Sequence, residues 1–225
     1  MKNGAVKDVM QSLACGILGS IGPGRRLLAV DGVDGSGKTI FAAKLAAQIR
    51  DRPVIVIHAD DFLNPSHVRH AKGRASPEGF WNDTYNYAAL HDRVLAPLGP
   101  QGDGCYVPAS YDPATDRTVP VEACLAPLNA LVLVEGMFLH RDELASRWDS
   151  SVFLDVPFTE TAARMAIRNG SNPDPDHPAM DRYVGGQRLY FEAARPWERA
   201  TFVVDNSDVA SPRIIRLDMA SAARQ

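Results

Sequence analysis

Cysteine, concentrated positive charge and long apolar runs are all scarce in this 225-residue chain, and each scarcity excludes a class of protein. Three well-separated cysteines, Cys15, Cys105 and Cys124, predict neither a disulfide framework nor a zinc knuckle, and they fit a reducing cytoplasm. The net charge is −3 with scattered basic residues, which argues against a nucleic-acid binder. No apolar stretch approaches the roughly 18 residues of a membrane span. We therefore expect a small-molecule partner, no nucleic acid and no membrane, and leave a homo-oligomer open.

The remaining composition is that of a folded chain, with 45% hydrophobic and 23% charged residues. Its length predicts a single domain, residues 1–225. Within the N-terminal part, 1–24, apolar residues recur at every fourth position, the spacing of one helix face: Val9, Leu13, Ile17 and Ile21. This spacing predicts a short amphipathic helix packed on the domain rather than a cleaved signal peptide.

Apolar runs rich in β-branched residues predict five strands, and helical spacing separates several of them. The runs lack polar alternation, which is typical of strands buried on both faces of a parallel sheet. We therefore predict an α/β fold with a mostly parallel five-stranded sheet and helices on both faces, with ligands bound at the carboxyl ends of the strands. The five runs are 27–31, 54–57, 131–134, 152–156 and 201–204.

The segment 32–39 reads GVDGSGKT and satisfies the pattern G-x-x-x-x-G-K-[ST] between a predicted strand and a predicted helix. Its glycines let backbone N–H groups turn inward around a phosphate, Lys38 reaches the terminal phosphates and Thr39 ligates Mg²⁺. We therefore predict a three-layer P-loop NTPase fold that binds ATP with Mg²⁺. The residues of this cradle are Gly32, Asp34, Gly35, Ser36, Gly37, Lys38 and Thr39.

Three carboxylates follow the ends of predicted strands. Transfer of a γ-phosphoryl group to a hydroxyl needs a carboxylate that accepts the departing proton, and Asp60 is predicted to be that base. Asp61 follows it, and capping of the next turn is the alternative role for both aspartates. Glu135, after the third run, is predicted to supply Mg²⁺ with a direct or water-bridged oxygen ligand.

Two arginines on a predicted helix, Arg164 and Arg168, are spaced to share one face and are predicted to close over the transferring phosphate, with a solvated helix face as the alternative. The segment that follows, 170–181, holds three prolines and is predicted to be a lid. The polar segment 64–82 is predicted to be a second mobile loop, on the substrate side.

Together these residues resemble the uridine kinase and phosphoribulokinase-like group of P-loop kinases, which also contains nicotinamide riboside kinases. The resemblance runs from about residue 27 to residue 208. It implies that the first aspartate of Asp60-Asp61-Phe62 is the catalytic base and helps to hold Mg²⁺. It also implies that Glu135 of Glu135-Gly136 is a metal-site residue, and that Arg164 and Arg168 belong to the lid helix.

The same resemblance implies residues that bind the acceptor. Asp61 is predicted to bind the acceptor as well. The segment 80–83 is similar to a family segment that binds ribose, which nominates Asp83 for sugar hydroxyls. The segment 105–120 is related to a hairpin that covers the substrate base, which nominates Tyr111 and Arg117. Here Asp116 stands where that hairpin has a base-contacting histidine, so the hydrogen-bonding role toward a pyrimidine edge is reversed.

We therefore expect a phosphotransferase with an alcohol acceptor, most plainly the hydroxyl of a nucleoside. Nicotinamide riboside, pantothenate or another alcohol are the alternative acceptors, and a regulatory P-loop ATPase switch is the alternative of another class. The sequence leaves open the acceptor, the choice of ATP or GTP, and the oligomeric state. It does not decide whether Trp81, Tyr85 and Tyr87 line a pocket or fill the core. Solvated positions are expected for His67, His70, His91 and His140.

Overall fold

A six-stranded sheet lies at the centre of the structure, a computed structural model that describes residues 2–224 and, from residue 9 onward, their side chains. Five strands run parallel and the last edge strand runs antiparallel to its neighbour. In chain order the strands are Arg26–Gly32 (β1), Val54–His58 (β2), Leu131–Gly136 (β3), Ser150–Asp155 (β4), Phe202–Asp205 (β5) and Arg213–Ile215 (β6). Across the sheet their order is β6-β5-β4-β1-β3-β2.

The predicted α/β fold class is confirmed, and the number of strands is corrected from five to six. Each of the five predicted runs forms a strand. The additional strand, β6, has only three residues and pairs antiparallel with β5 at the edge, where its side chains are exposed or half-buried. Such a short segment carries neither a long apolar run nor a clear alternation, so the sequence pattern does not reveal it.

Helices pack on both faces of the sheet, as predicted. Alternate residues of β1 point to opposite faces, so Leu28 and Val30 pack against the first two helices, while Leu27 and Ala29 join the core on the other side. The α-helices are Lys2–Ser20 (α1), Lys38–Ala46 (α2), Ser66–Arg69 (α3), Pro77–Asp83 (α4), Tyr87–Leu90 (α5), Ala96–Leu98 (α6), Asp142–Ala145 (α7), Phe158–Asn169 (α8), Gly186–Ala194 (α9) and Pro196–Arg199 (α10).

Shorter elements fill the connections. Two π-helical segments, His91–Leu95 and Asp181–Gly185, run directly into α6 and α9. The 3₁₀ turns are Ala59–Phe62, Pro178–Met180, Leu217–Met219 and Ser221–Arg224. Two small antiparallel pairs join Cys105–Tyr106 to Cys124–Leu125 and Tyr111–Asp112 to Arg117–Thr118.

The segment 64–82 is not a plain loop, because it contains α3 and most of α4. Ser76 caps α4, with its hydroxyl accepting a hydrogen bond from the Gly79 amide at 3.0 Å, and Pro77 occupies the first turn. Ser76-Pro77 is a sequence pattern typical of a helix start. The polar composition of the segment nevertheless favoured the prediction of a loop. The hairpin expected at 105–120 is present as the second small pair, whereas the first pair extends to residue 125.

The N-terminal helix packs on the sheet through a slightly different face from the predicted one. Leu13 and Ile17 are fully buried together with Met10 and Ala14, whereas Val9 and Ile21 are half-buried. Cys15, Cys105 and Cys124 are free and exposed. Within residues 2–224, no helix combines the length and the apolar character needed to cross a membrane.

Candidate active site

The order of the strands brings the predicted site residues to one edge of the sheet. β1 lies between β4 and β3, and β3 pairs with β2 on its other side. The parallel register places Glu135 beside both Val30 and His58, and places Asp31 beside Gly136. Because the carboxyl ends of β1, β2 and β3 are neighbours, the cradle, the Asp60–Asp61 turn and Glu135 meet there.

The cradle at 32–39 requires glycine at particular positions. Gly35 and Gly37 have φ angles of 78° and 87°, a left-handed conformation that side chains other than glycine rarely adopt. A Cβ atom on Gly35 would also lie 2.7 Å from the carbonyl oxygen of Thr161, and one on Gly32 would lie 2.7 Å from the Ser36 hydroxyl. The loop therefore turns its backbone inward, and α2 begins at Lys38 with its positive end toward the cradle.

Side chains from distant parts of the sequence hold this cradle in place. The amide of buried Asn206 donates to the carbonyl of Ser36 at 2.7 Å. Arg164 donates to the carbonyls of Gly35, Asn206 and Ser207 at 3.2, 3.0 and 2.7 Å. Its guanidinium thus binds the backbone of the loop in this structure.

Lys38 of the cradle and Arg168 of α8 also have hydrogen-bond partners within the protein. Lys38 Nζ donates to the carbonyl of Val33 at 3.0 Å, so the lysine folds back over its own loop. Arg168 Nη2 lies 3.0 Å from a carboxylate oxygen of Asp34, and this ion pair is largely exposed. An exposed pair of this kind is weak, so Arg168 can exchange Asp34 for an anionic ligand at little cost.

One cavity of about 550 Å³ joins these parts, and most of the predicted catalytic, cradle and metal residues line it. It is large enough for the phosphate groups of a nucleotide. Its walls come from the cradle, the Asp60 turn, the end of β3 and helix α8: Asp34, Gly35, Gly37, Lys38, Thr39, Ile40, Asp60, Glu135, Gly136, Met137, Arg164 and Arg168.

The residues predicted to hold Mg²⁺ offer a fitting set of hard oxygen donors. Thr39 Oγ1 donates to Glu135 Oε1 at 3.0 Å, and His58 Nδ1 lies 2.7 Å from the same oxygen. Among residues 9–224, no three His, Cys, Asp or Glu side chains form a cage around a metal. One or two protein oxygens completed by phosphate and water oxygens are what Mg²⁺ prefers, so Thr39 and Glu135, with Asp60 in the same cavity, fit that ion.

Asp60 is held by a buried tyrosine. The Tyr85 hydroxyl donates to Asp60 Oδ1 at 2.8 Å and accepts a hydrogen bond from the Met137 amide at 3.4 Å. Burial, and then the charge of Asp60, raise the pKa of Tyr85 well above its usual value, so the phenol stays a donor. Gly136 lets the end of β3 approach the turn that carries Asp60, because a Cβ atom on Gly136 would lie 2.4 Å from the Cβ of Ala59.

Asp61 does not share the position of its neighbour. It is absent from the walls of the cavity, and its backbone carbonyl accepts a hydrogen bond from the Ser110 amide at 2.9 Å. Burial raises the pKa of Asp61, with the charges of Asp60 and Glu135 adding to the effect and His58 opposing it. The two aspartates predicted together therefore have different surroundings.

The other residues nominated for the acceptor already have partners or lie at the surface. Asp83 pairs with Lys72 at 2.6 Å, and Arg117 is exposed in the small hairpin. Tyr111 donates to Asp116, and Arg69 Nη2 donates to the Tyr111 hydroxyl at 3.2 Å. None of these side chains lines the cavity at the cradle.

Sequence reasoning missed a buried group beneath the cradle. Asp31, at the end of β1, accepts hydrogen bonds from the Gly32 amide at 2.7 Å, from the His140 amide at 3.1 Å and from the Tyr190 hydroxyl. His140 Nδ1 lies 2.7 Å from the same carboxylate, so its expected solvated position is wrong. The signal was the aspartate that ends an otherwise apolar strand just before the glycine-rich loop.

No protein-family model matches the chain, whereas solved structures share its fold. A possible uridine kinase from Bacillus stearothermophilus is 24% identical, with a TM-score of 0.69 over 88% of this chain and 98% of the other. A candidate fructose transport system kinase from Silicibacter sp. TM1040 is 25% identical, with a TM-score of 0.64 over 82% and 95%. D-glycerate 3-kinase from Cryptococcus neoformans is 14% identical, with a TM-score of 0.58 over 92% and 99%.

Proposed function

We propose that this chain, which has the fold of the uridine kinase-like P-loop kinases, transfers the γ-phosphoryl group of ATP to a hydroxyl group of a small metabolite. The observation that carries the proposal is the single cavity lined by both the phosphate cradle and the Asp60 carboxylate. A hydroxyl placed between them would have a base on one side and the terminal phosphate on the other.

In the proposed reaction, the acceptor oxygen forms a bond to the γ-phosphorus as the bond from that phosphorus to the bridging oxygen of ADP breaks. Asp60 takes the hydroxyl proton, and Tyr85 holds the carboxylate in place through its hydrogen bond. The cradle amides and Lys38 bind the phosphate oxygens. Bound Mg²⁺, held through Thr39 and Glu135, would supply neutralisation of the phosphate charge.

Helix α8 is proposed to position two arginines, one on the cradle and one near the transferring phosphate. Arg164 fixes the cradle through the carbonyl of Gly35 and through the backbone at Asn206. Arg168 reaches the same cavity and is tied only by an exposed pair, so it is the arginine that can move onto the transferring phosphate. The segment 170–181 follows α8 directly and is proposed to act as the lid that excludes water.

The nature of the acceptor is a finer proposal. The resemblance favours a nucleoside, in line with the possible uridine kinase of the same fold. Asp116, which replaces the base-contacting histidine, is bound to Ser66 and Tyr111 and is therefore not free to contact a pyrimidine edge. A hydroxyl-bearing small metabolite is thus the proposed acceptor class, and nucleosides, nicotinamide riboside and pantothenate are the first compounds to assay.

Replacement of Asp60 by Asn tests the reaction. Asn keeps the shape and an oxygen for the Tyr85 hydroxyl but accepts no proton, so we expect acceptor-dependent ADP formation to fall by roughly 100- to 10,000-fold. The dissociation constant of ATP should stay within about threefold, because Asp60 belongs to the acceptor side of the cavity. Coupled ADP detection and equilibrium binding measure the two quantities.

The exposed aspartate Asp51 provides the matched control, because it precedes the start of β2 whereas Asp60 follows its end, and Asp51→Asn should leave both quantities unchanged. Unchanged turnover in Asp60→Asn would refute the assignment of the base. If no small acceptor stimulates ATP consumption while a macromolecular partner does, the chain is a regulatory ATPase and not a kinase.

A further inference from the structure

Positive charge collects beside the turn that carries Asp60. Arg69 ends α3, Arg74 follows in the connection to α4, and Arg182 belongs to the segment that leads into α9. The Arg182 guanidinium donates to the backbone carbonyls of Arg74 and Arg69, which brings the three residues together. Burial lowers the pKa of His70, and the charges of Arg182, Arg74 and Arg69 lower it further, whereas the charge of Asp116 raises it. We call Arg69, Arg74 and Arg182 the basic cluster.

Arg182 is the most unusual member, because it is buried without a counter-ion. It is 9% exposed, lies 5.4 Å from the centre of the Phe80 ring, and donates only to the carbonyl oxygens of Arg74 and Arg69, at 3.3 and 3.4 Å. No carboxylate within the described part of the chain forms an ion pair with it. A guanidinium stays charged when buried, so this arrangement is costly unless an anion accompanies it.

The nearby carboxylates do not balance this charge. Asp83 is paired with Lys72 at 2.6 Å. Asp116 accepts hydrogen bonds from Ser66 and Tyr111, and it lies 3.9 Å from Arg69. Within the described residues, Asp116 is thus the one carboxylate that forms an ion pair with a member of the cluster, and it reaches only Arg69, which leaves an excess of positive charge at this surface.

The basic cluster is attached to the Asp60–Asp61 turn by short contacts. Arg69 Nε donates to the carbonyl of Asn64 at 2.7 Å, three residues after Asp61, and Arg69 Nη2 donates to the Tyr111 hydroxyl at 3.2 Å. Ser110, next to Tyr111, donates its amide to the carbonyl of Asp61 at 2.9 Å. Through Arg69 the cluster is therefore connected to the segment that carries Asp60, and none of its three arginines lines the cavity at the cradle.

We propose that the basic cluster binds a carboxylate or phosphate group carried by the phosphate acceptor, so that the substrate is an anionic alcohol rather than a neutral nucleoside or sugar. This inference rests on the proposed function and specifies its substrate class. The negative group is held by Arg69, Arg74 and Arg182, while the hydroxyl to be phosphorylated extends toward Asp60. The two ends of such a substrate fix its orientation.

Matched pairs of acceptors test the substrate class. Glycerate against glycerol, and pantothenate against panthenol, compare a carboxylate with its absence, whereas fructose 6-phosphate against fructose does so for a phosphate. We expect kcat/KM for at least one charged member to exceed that of its neutral partner roughly 100-fold, with uridine among the poor substrates. The pair whose charged member is preferred shows whether the cluster binds a carboxylate or a phosphate. Preference for the neutral members would overturn the inference.

Two variants connect this preference with the cluster. Arg74→Gln removes an exposed guanidinium with little risk to folding, and Arg182→Gln removes the buried one. We expect each to raise KM for the charged acceptor roughly 10- to 100-fold and to change KM for ATP little. Arg147→Gln, which removes the same charge from an exposed position elsewhere, should leave both values unchanged. An unaltered acceptor KM in Arg74→Gln and Arg182→Gln would contradict the proposal.

A binding experiment separates this inference from the proposed function. With the cradle saturated by a non-hydrolysable ATP analogue, calorimetry measures the binding of orthophosphate and of acetate to the wild type, Arg182→Gln and Arg147→Gln proteins. Binding of either anion that Arg182→Gln weakens at least tenfold supports the cluster even if no acceptor is phosphorylated, in which case the kinase proposal alone fails. Equal binding by all three proteins sinks the inference while leaving the kinase proposal intact.

Discussion

Tyr85 shows how one side chain serves both the core and the candidate site. Its ring is almost completely buried and packs edge-on against Tyr87 and Phe138, while its hydroxyl reaches Asp60. Because the ring is fixed by packing, the hydroxyl holds the carboxylate with little loss of side-chain freedom when an acceptor binds. The sequence left this residue undecided between core and pocket, and the structure places its ring in the core and its hydroxyl on Asp60, which lines the cavity.

Replacement of Tyr85 by Phe isolates the positioning role of that hydroxyl. A hydrogen bond to a charged group is worth about 1.5–3 kcal/mol, so we expect kcat to fall roughly 10-fold or more while KM for ATP stays constant. The ring and its packing remain, so the free energy of unfolding should fall by no more than the about 1.5–3 kcal/mol of that hydrogen bond. Steady-state kinetics and urea unfolding measure these effects.

The matched control is Tyr106→Phe, because the Tyr106 phenol lies beside Cys124 and not beside Asp60. It should leave kcat unchanged. If Tyr85→Phe lowers stability strongly and leaves kcat intact, the hydroxyl is structural and the positioning role is wrong.

For single residues, the sequence predicts those that belong to a short consecutive motif. It misses hydrogen-bond partners that lie far apart in the sequence and meet only in the folded chain. The segment 32–39 is recognisable because its glycines, lysine and threonine are consecutive. The contacts of Glu135 with His58, and of Asn206 with Ser36, join residues that are 77 and 170 positions apart. No spacing rule covers such pairs, since the first follows from the register of β2 against β3 and the second from loops that follow two strands of the same sheet.

Among the elements, the small hairpin at 111–118 is fastened to α3 chiefly by one carboxylate, that of Asp116, and also by the bond from Arg69 to the Tyr111 hydroxyl. Asp116, with a φ of 54°, accepts hydrogen bonds from the Ser66 hydroxyl, the Ser66 amide and the Tyr111 hydroxyl. The Ser66 hydroxyl bond is the largest cause that lowers the pKa of Asp116, to about 2. Ionised Asp116 therefore joins the hairpin to the start of α3.

The pH dependence of this anchor has a definite sign. A folded pKa of about 2 lies below the ordinary aspartate value of roughly 3.9, so the stabilisation is present above pH 4 and is lost as the pH falls through 2. We expect the melting temperature of Asp116→Asn to lie below that of the wild type by a constant amount from pH 8 to pH 5. The difference should shrink toward pH 2.

Thermal unfolding across this pH range checks the prediction, with Glu122→Gln as a control at an exposed position just beyond the hairpin. The control should track the wild type at every pH. A difference for Asp116→Asn that grows on acidification would contradict the assigned direction of the pKa shift.

The strands and helices themselves were predictable where they contain long runs of buried apolar residues. The central strands β1, β3 and β4 follow from apolar runs because they are covered on both faces, and the runs of the half-buried β2 and β5 are still long enough to predict them. By contrast, β6 has three residues at an edge, and α3 and α4 lie in a polar segment whose helices are short and start with local caps such as Ser76. Short elements owe their conformation to tertiary neighbours more than to their own composition.

For the molecule as a whole, Asp31 joins three distant parts of the chain below the cradle. It ends β1, binds the amide and side chain of His140 in the segment after β3, and binds Tyr190 on α9. An ionised carboxylate only accepts hydrogen bonds, so His140 donates from Nδ1. Through Asp31 the start of the cradle, the loop that follows Glu135 and Gly136, and the helix after the proposed lid share one buried centre.

Loss of this centre should weaken folding and nucleotide binding together. Asp31→Ala leaves the donors of Gly32, His140 and Tyr190 unpaired in a fully buried position, so we expect the free energy of unfolding to fall by about 3–5 kcal/mol. Tyr190→Phe removes one donor and keeps the ring, so a loss of about 1 kcal/mol is expected. ATP should bind more weakly to Asp31→Ala than to Tyr190→Phe, because only Asp31 contacts the Gly32 amide at the start of the cradle. Urea unfolding and equilibrium ATP binding of both variants measure these effects, and equal losses of stability in the two would show that the carboxylate does not organise the cluster.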